Sequence, residues 1–205
     1  MEALTTARLD WGIASRALEG EESLGDAYVM KSFPDGCLAA VIDGLGHGDQ
    51  AAVAATIGVA TLESHASEPV SSLLRLCHER LSETRGAAIS LASIRAAEGS
   101  LAWLAVGNVA GMLVRADPAA SPREERLLQR SGVVGLKLPA LREGLLRLFT
   151  EDTLVLATDG IGVDFDHSIR PADPPQRIAD RILEEHGLST DDALVLVVRY
   201  KVDEQ

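Results

Sequence analysis

Apolar and polar positions change period along the chain, and the changes mark its elements. From Leu9 to Arg16 and from Ala27 to Phe33, β-branched, aromatic and small apolar residues mix. Pro34-Asp35-Gly36 then supplies a turn before Cys37 to Ile42, which predicts strand, strand, turn, strand. After the glycine-rich run Asp43 to Gly48, small and apolar groups return at helical spacing at Ala51, Ala54, Ala55, Gly58 and Leu62, predicting a long, tightly packed helix. Pro69 suits a first helical turn, and Val70, Leu73, Leu74, Cys77 and Leu81 share one face, so a second helix is expected from Pro69 to about Thr84, stopped by Gly86.

Ala88 to Arg95, Leu101 to Val106 and Met112 to Arg115 read as three strands joined by turns at Glu98-Gly99-Ser100 and around Gly107-Asn108, a run of hairpins. Asp117 to Arg126, with two prolines and mixed charge, is expected to be a surface loop. A strand at Thr153 to Ala157, a helix from about Pro175 to Glu185 and a strand at Ala193 to Tyr200 complete the pattern. Two blocks of helix separated by strands predict an α+β domain of stacked, mainly antiparallel sheets with helices outside, one domain over 1–205 with its core at about 9–200.

Composition narrows the function classes. Nineteen Lys and Arg against 31 Asp and Glu give a net charge of −12, which leaves no counter-ion surface for nucleic acid or an anionic membrane. Aromatics are 3% of residues, so the core must be aliphatic, and Trp11 and Trp103 are expected in it. Cys37 and Cys77 lack metal-ligand spacing, and Met1-Glu2-Ala3-Leu4 lacks the basic start and apolar run of a signal peptide. Ile89 to Val106, the longest apolar candidate, is cut by Arg95, Glu98 and Gly99 short of the ~18 residues of a membrane span. The expected location is the cytoplasm.

Candidate chemistry gathers at strand edges. Asp43 and Asp159 end apolar strands, Asp26 precedes one, and Asp191 and Asp192 precede another. Antiparallel neighbours bring the end of one strand beside the start of the next, so these carboxylates can share a rim. A two-residue turn at Pro34-Asp35 places Asp26 opposite Asp43, and a bulged turn places it opposite Gly44. Carboxylates so crowded repel unless a cation intervenes, and oxygen-only ligation selects Mg²⁺ or Mn²⁺. At Asp43-Gly44 and Asp159-Gly160 the glycine allows a sharp turn and offers its carbonyl as a ligand, although an ordinary Asp-Gly turn is equally open. The loop Gly44 to Gly48 also suggests a phosphate cradle but lacks P-loop and dinucleotide spacing. His47 is expected to order that loop by hydrogen bonding, and His65, His78, His167 and His186 to be surface groups.

Glu22-Ser-Leu-Gly-Asp26-Ala-Tyr28, Val41-Ile-Asp43-Gly-Leu-Gly-His-Gly48, Leu156-Ala-Thr-Asp159-Gly-Ile161 and Asp191-Asp192-Ala-Leu together resemble the metal-dependent PPM protein phosphatases, in particular their bacterial SpoIIE branch. The resemblance runs from about Leu9 to Tyr200, with no sensor, coiled-coil or membrane segment evident beside it, and looks most like the small phosphatases of the stressosome. It implies a four-layer α-β-β-α sandwich holding two Mn²⁺ or Mg²⁺ ions, with Asp43 bridging both, the Gly44 carbonyl on one, Asp159 and Asp191 on the other, and Asp26 acting directly or through water. The implied substrates are phosphoserine or phosphothreonine on STAS-domain proteins like RsbS and RsbR, hydrolysed by metal-activated water without a phosphoenzyme. The alternative is a non-catalytic docking module for the same partners. Two departures stand out: Glu21-Glu22 replaces the arginine that eukaryotic relatives place before the first acidic motif, and Leu194 replaces a threonine after Asp-Asp-x.

Overall fold

The computed structural model describes residues 7–21 and 23–202. Glu22 and the Met1 to Leu4 stretch lie outside the described residues. In chain order the elements are β1 (Ala7–Arg16), β2 (Asp26–Phe33), β3 (Gly36–Gly44), α1 (Asp49–Ser64), α2 (Val70–Arg80), β4 (Ala87–Arg95), β5 (Ser100–Val106) and β6 (Ala110–Val114). They continue with β7 (Glu124–Arg126), β8 (Gln129–Arg130), β9 (Gly144–Arg147), β10 (Thr153–Ala157), α3 (Pro175–His186) and β11 (Ala193–Val202).

The strands form two mainly antiparallel sheets, ordered β1-β11-β10-β6-β7 and β2-β3-β4-β5-β8, with β9 also on β5. Strand alternation explains how the sheets stack. On β3, Ala39 and Val41 face the other sheet, while Leu38, Ala40 and Ile42 face α1 and α2. On β11, Leu194, Leu196 and Val198 join the same inter-sheet core, while Val195 and Val197 face α3. Both faces of these strands are buried, which is why they read as unbroken apolar runs and why the layers run α-β-β-α. Small residues bring α1 close, since Ala51, Ala54 and Ala55 are buried and a Cβ on Gly58 would stand 3.1 Å from Ile42 Cδ1. None of the described helices is long and apolar enough to cross a membrane.

The β2–β3 register is that of the two-residue turn, with Phe33 opposite Gly36 and Asp26 opposite Asp43. Other expectations need correction. The hairpin run breaks after β5: β4 and β5 pair, but Val109 buries itself between the sheets and β6 joins β10 in the other sheet. The expected loop Asp117 to Arg126 ends in β7, which pairs with β6. The second helix stops at Arg80 because Thr84 folds the chain back, donating to the Leu81 carbonyl (2.7 Å) and accepting the Gly86 N–H (2.9 Å).

Trp103 is buried, but Trp11 is 45% exposed on edge strand β1, where it meets Tyr28 of edge strand β2 at 5.8 Å between ring centroids. The pair closes the flank of the sandwich where neither sheet has a further strand. Three of the expected surface histidines are half-buried and engaged. His65 Nδ1 donates to the Thr61 carbonyl, His78 Nδ1 accepts the Gly135 N–H, and His186 Nε2 lies 2.8 Å from Ser168 Oγ.

Candidate metal centre

Chain reversals of both sheets meet at one end of the sandwich. Thr158, just after β10, donates its N–H to the Leu194 carbonyl (3.0 Å), while its Oγ1 accepts the Leu194 N–H (2.9 Å). These bonds lock the end of β10 to the start of β11 and so set Asp159 beside Asp191. The same hydroxyl donates to Asp26 Oδ2 across the two sheets (2.8 Å), and Asp26 faces Asp43 on the neighbouring strand. Residues more than a hundred positions apart are thereby fixed at a common rim.

An open cleft of about 220 Å³ lies there, lined by Asp43, Asp159 and Asp191 together with Asn108, Thr190 and the loop from Leu45 to His47, with Leu18 at its edge. Asp26 is not part of that lining: it is 5% exposed and sits behind Asp43. Asp192 turns away altogether, accepting the N–H groups of Leu18 and Gly25 at 2.7 Å each, and so clamps the segment that leads into β2. Gly44 and Gly160 are required for close approach and not for a left-handed turn, because neither has positive φ. A Cβ would stand 2.1 Å from the Ala51 carbonyl oxygen at Gly44 and 1.9 Å from that of Asp192 at Gly160.

Electrostatics single out the same residues. Burial, reinforced by the charges of Asp26, Asp159, Asp191 and Asp192, pushes the Asp43 carboxyl up to about 8. Burial also raises Asp26, to about 7, against the pull of the Thr158 hydroxyl and with the help of Asp192, Asp191 and Asp159. Asp159 is raised by burial and by Asp191, while hydrogen bonds from Asn108, its own backbone and the Asp43 carboxyl hold it back. Without a cation, protons take over part of the neutralisation at Asp43 and Asp26.

The donor set is all oxygen, which suits a hard divalent ion. Among the described residues no three His, Cys, Asp or Glu side chains close on one point as a complete shell. An ion bound here would need water to complete its shell, as Mg²⁺ commonly does when held by one or two carboxylates.

A pH dependence follows. Asp43 and Asp26 have folded pKa values above the ordinary carboxylate value of 3.8, so the folded state holds protons that the unfolded chain has released. The stability of the metal-free protein is expected to be full below about pH 4 on this account and to be lost as pH rises through about 7 to 8. The slope is up to about 1.4 kcal/mol per pH unit for each carboxyl. Urea midpoints measured in EDTA between about pH 5 and about pH 8 read it. A midpoint independent of pH, or rising with it, would contradict the crowding described here.

Sequence reasoning missed three contributors. Asn108 Nδ2 donates to Asp159 Oδ2 (2.5 Å) from the crossover between the sheets, where Gly107-Asn108 read only as a turn. Thr158 was visible only as the residue before Asp-Gly. Glu21 lies 2.6 Å from His47 Nδ1, so the expected ordering of the loop by His47 is present, with a partner the sequence did not reveal. Arg16, the nearest arginine upstream, donates to the Leu188 carbonyl (2.7 Å).

Comparison with known proteins gives the family and the fold. Residues 34–201 match the family Stage II sporulation protein E (SpoIIE). Phosphoserine phosphatase RsbX of Bacillus subtilis (strain 168) is 33% identical over 91 residues, 44% of this chain and 46% of that protein, so the match spans about half of the relative's length. A solved structure from work on "The bacterial stressosome: a modular system that has been adapted to control secondary messenger signaling" is 30% identical, covers 94% of this chain and 100% of its own, and superposes with a TM-score of 0.85. RsbX in complex with magnesium, at 22% identity, shares the fold with a TM-score of 0.84 over 97% of this chain and 100% of its own. The matched stretch takes in Asp43, Asp159 and Asp191 with their strands, and the chain belongs to the Stage II sporulation protein E (SpoIIE) family.

Proposed function

We propose that the protein is a Mn²⁺- or Mg²⁺-dependent phosphatase acting on phosphoserine or phosphothreonine of a STAS-domain signalling protein of the RsbS or RsbR kind, with residues 9–200 as its one catalytic domain. The observation that carries this reading is the convergence of Asp43, Asp159 and Asp191, from three remote segments, on one open cleft with like-charge strain. The likeness to phosphoserine phosphatase RsbX and to a stressosome structure supports the substrate class.

Asp43 and the Gly44 carbonyl would hold one ion, with Asp43 shared, and Asp159 and Asp191 the other, Asp26 supporting Asp43 from behind. Two such ions supply Lewis acidity, which acidifies a water and offsets charge on the phosphoryl oxygens. The chain's own part is placement. Asn108 fixes the Asp159 carboxylate, Thr158 aligns Asp26 and ties the sheets, and Asp192 holds the edge of the cleft. Direct attack by water, without a phosphoenzyme, is the route this reading assigns to the cleft.

Phosphate release from a phosphorylated STAS protein, measured with Mn²⁺ and with EDTA, tests the proposal. Release that requires metal is expected. Metal-independent release would overturn it, and tight binding without turnover at saturating Mn²⁺ would establish the docking module instead.

A further inference from the structure

A phosphate monoester approaching this cleft meets a wall of carboxylates, so it needs a cation that those carboxylates have not already engaged. Of the basic groups around the cleft, His47 is paired with Glu21 and Arg16 is bound to the Leu188 carbonyl. Arg85 has neither hydrogen bond nor ion pair among the described residues and is exposed. Yet its guanidinium lies directly against the cleft loop. A Cβ on Gly46 would stand 2.7 Å from Arg85 Nη1 and 3.9 Å from Cζ, and Gly46 has φ +92°.

Gly46 is itself part of the cleft lining, and Arg85 lines the adjoining groove of about 410 Å³ with Asp49, Gln50, Val53, Glu83 and Thr84. A side chain at position 46 would collide with the guanidinium where it stands; bare backbone lets it lie against the loop that lines the cleft.

Resting on the phosphatase reading, we propose that Arg85 holds the phosphoryl group of the substrate at the mouth of the cleft, across Gly46. The guanidinium fork matches two phosphoryl oxygens. A lysine would supply the charge without the fork.

Inorganic phosphate, titrated calorimetrically at saturating Mg²⁺ into the full chain, is the probe. Arg85→Ala and Arg85→Gln are each expected to weaken phosphate binding by about 10- to 100-fold, with Arg85→Lys recovering part of it. With a phosphoserine peptide the same variants should raise KM by a similar factor and change kcat less. Unchanged phosphate affinity in both variants, or no phosphate binding by the parent protein, would overturn the role of Arg85. A parent protein that binds phosphate through Arg85 but never releases it from a phosphoprotein would sink the phosphatase reading and leave the anchor standing. Turnover that survives with equal KM in both variants would do the reverse.

Discussion

Asp43→Asn is expected to abolish metal-dependent turnover while making the metal-free protein more stable. The two effects have one cause. Asp43 is the carboxylate most strongly raised by its surroundings, up to about 8, through burial and the repulsion of four other aspartates. Folding the metal-free protein at neutral pH therefore requires Asp43 to take up a proton, at a cost that an amide does not incur. At about pH 7 the metal-free variant should gain on the order of 2 kcal/mol, read as a higher urea midpoint in EDTA. Activity should move the other way. Loss of an outer partner of a metal ligand costs ~10–100-fold, and removing the charge of Asp43, which the proposal makes a shared ligand, should cost more, about 10³-fold or greater. Saturating Mn²⁺ should stabilise the parent protein and raise the variant's midpoint far less. A variant that keeps turnover within about tenfold of the parent would remove Asp43 from the centre of the mechanism.

How much of this arrangement could be read beforehand depended on whether a feature was local. The opposition of Asp26 and Asp43 followed from the two residues between Phe33 and Gly36, because a short turn leaves the ladder only two registers. The tight packing of α1 was visible as alanines at helical spacing, though not that it packs on β3, and β10 and β11 were visible as apolar runs. Non-local choices were not visible. Nothing near Gly107 shows that the chain will leave one sheet for the other, since the gain comes from burying Val109 against residues far away in sequence. β7, β8 and β9 have two to four residues each, too few to display a period.

The site shows the same division. That aspartates would collect at a rim was legible from their positions at strand edges. Their separate jobs were not, because Asp191 and Asp192 are adjacent in sequence and alike in chemistry. Strand alternation and the amides of Leu18 and Gly25 draw Asp192 inward and leave Asp191 to the cleft. Trp11 failed as a core prediction for a related reason: apolar character fixes the face of a strand, but not whether that strand lies at the edge of its sheet.

Asp152→Ala is expected to be the most damaging single substitution for stability, and to act far from the cleft. Asp152 is 2% exposed at the start of β10, with the five residues of that strand between it and the cleft end. Its carboxylate accepts Arg115 Nη1 (2.7 Å) and the N–H groups of Phe149 (3.0 Å) and Ala116 (3.1 Å). Arg115, also buried, donates to Glu125 and to the Arg147 carbonyl (2.6 Å). Burial alone would lower the Arg115 pKa; the bonds to Asp152 and Glu125 outweigh it and raise it. Removing Asp152 leaves two amides and one side of a buried guanidinium without acceptors, which costs about 3–5 kcal/mol in a fold whose total stability is about 5–15 kcal/mol. Urea midpoints measure it, and a loss below about 1 kcal/mol would show that solvent replaces the carboxylate. Adding Arg115→Met to Asp152→Ala should restore part of the loss, because the uncompensated charge leaves with the side chain. The folded fraction of either variant should keep the metal dependence of the parent, since Thr158 and Leu194 hold the other end of β10 independently.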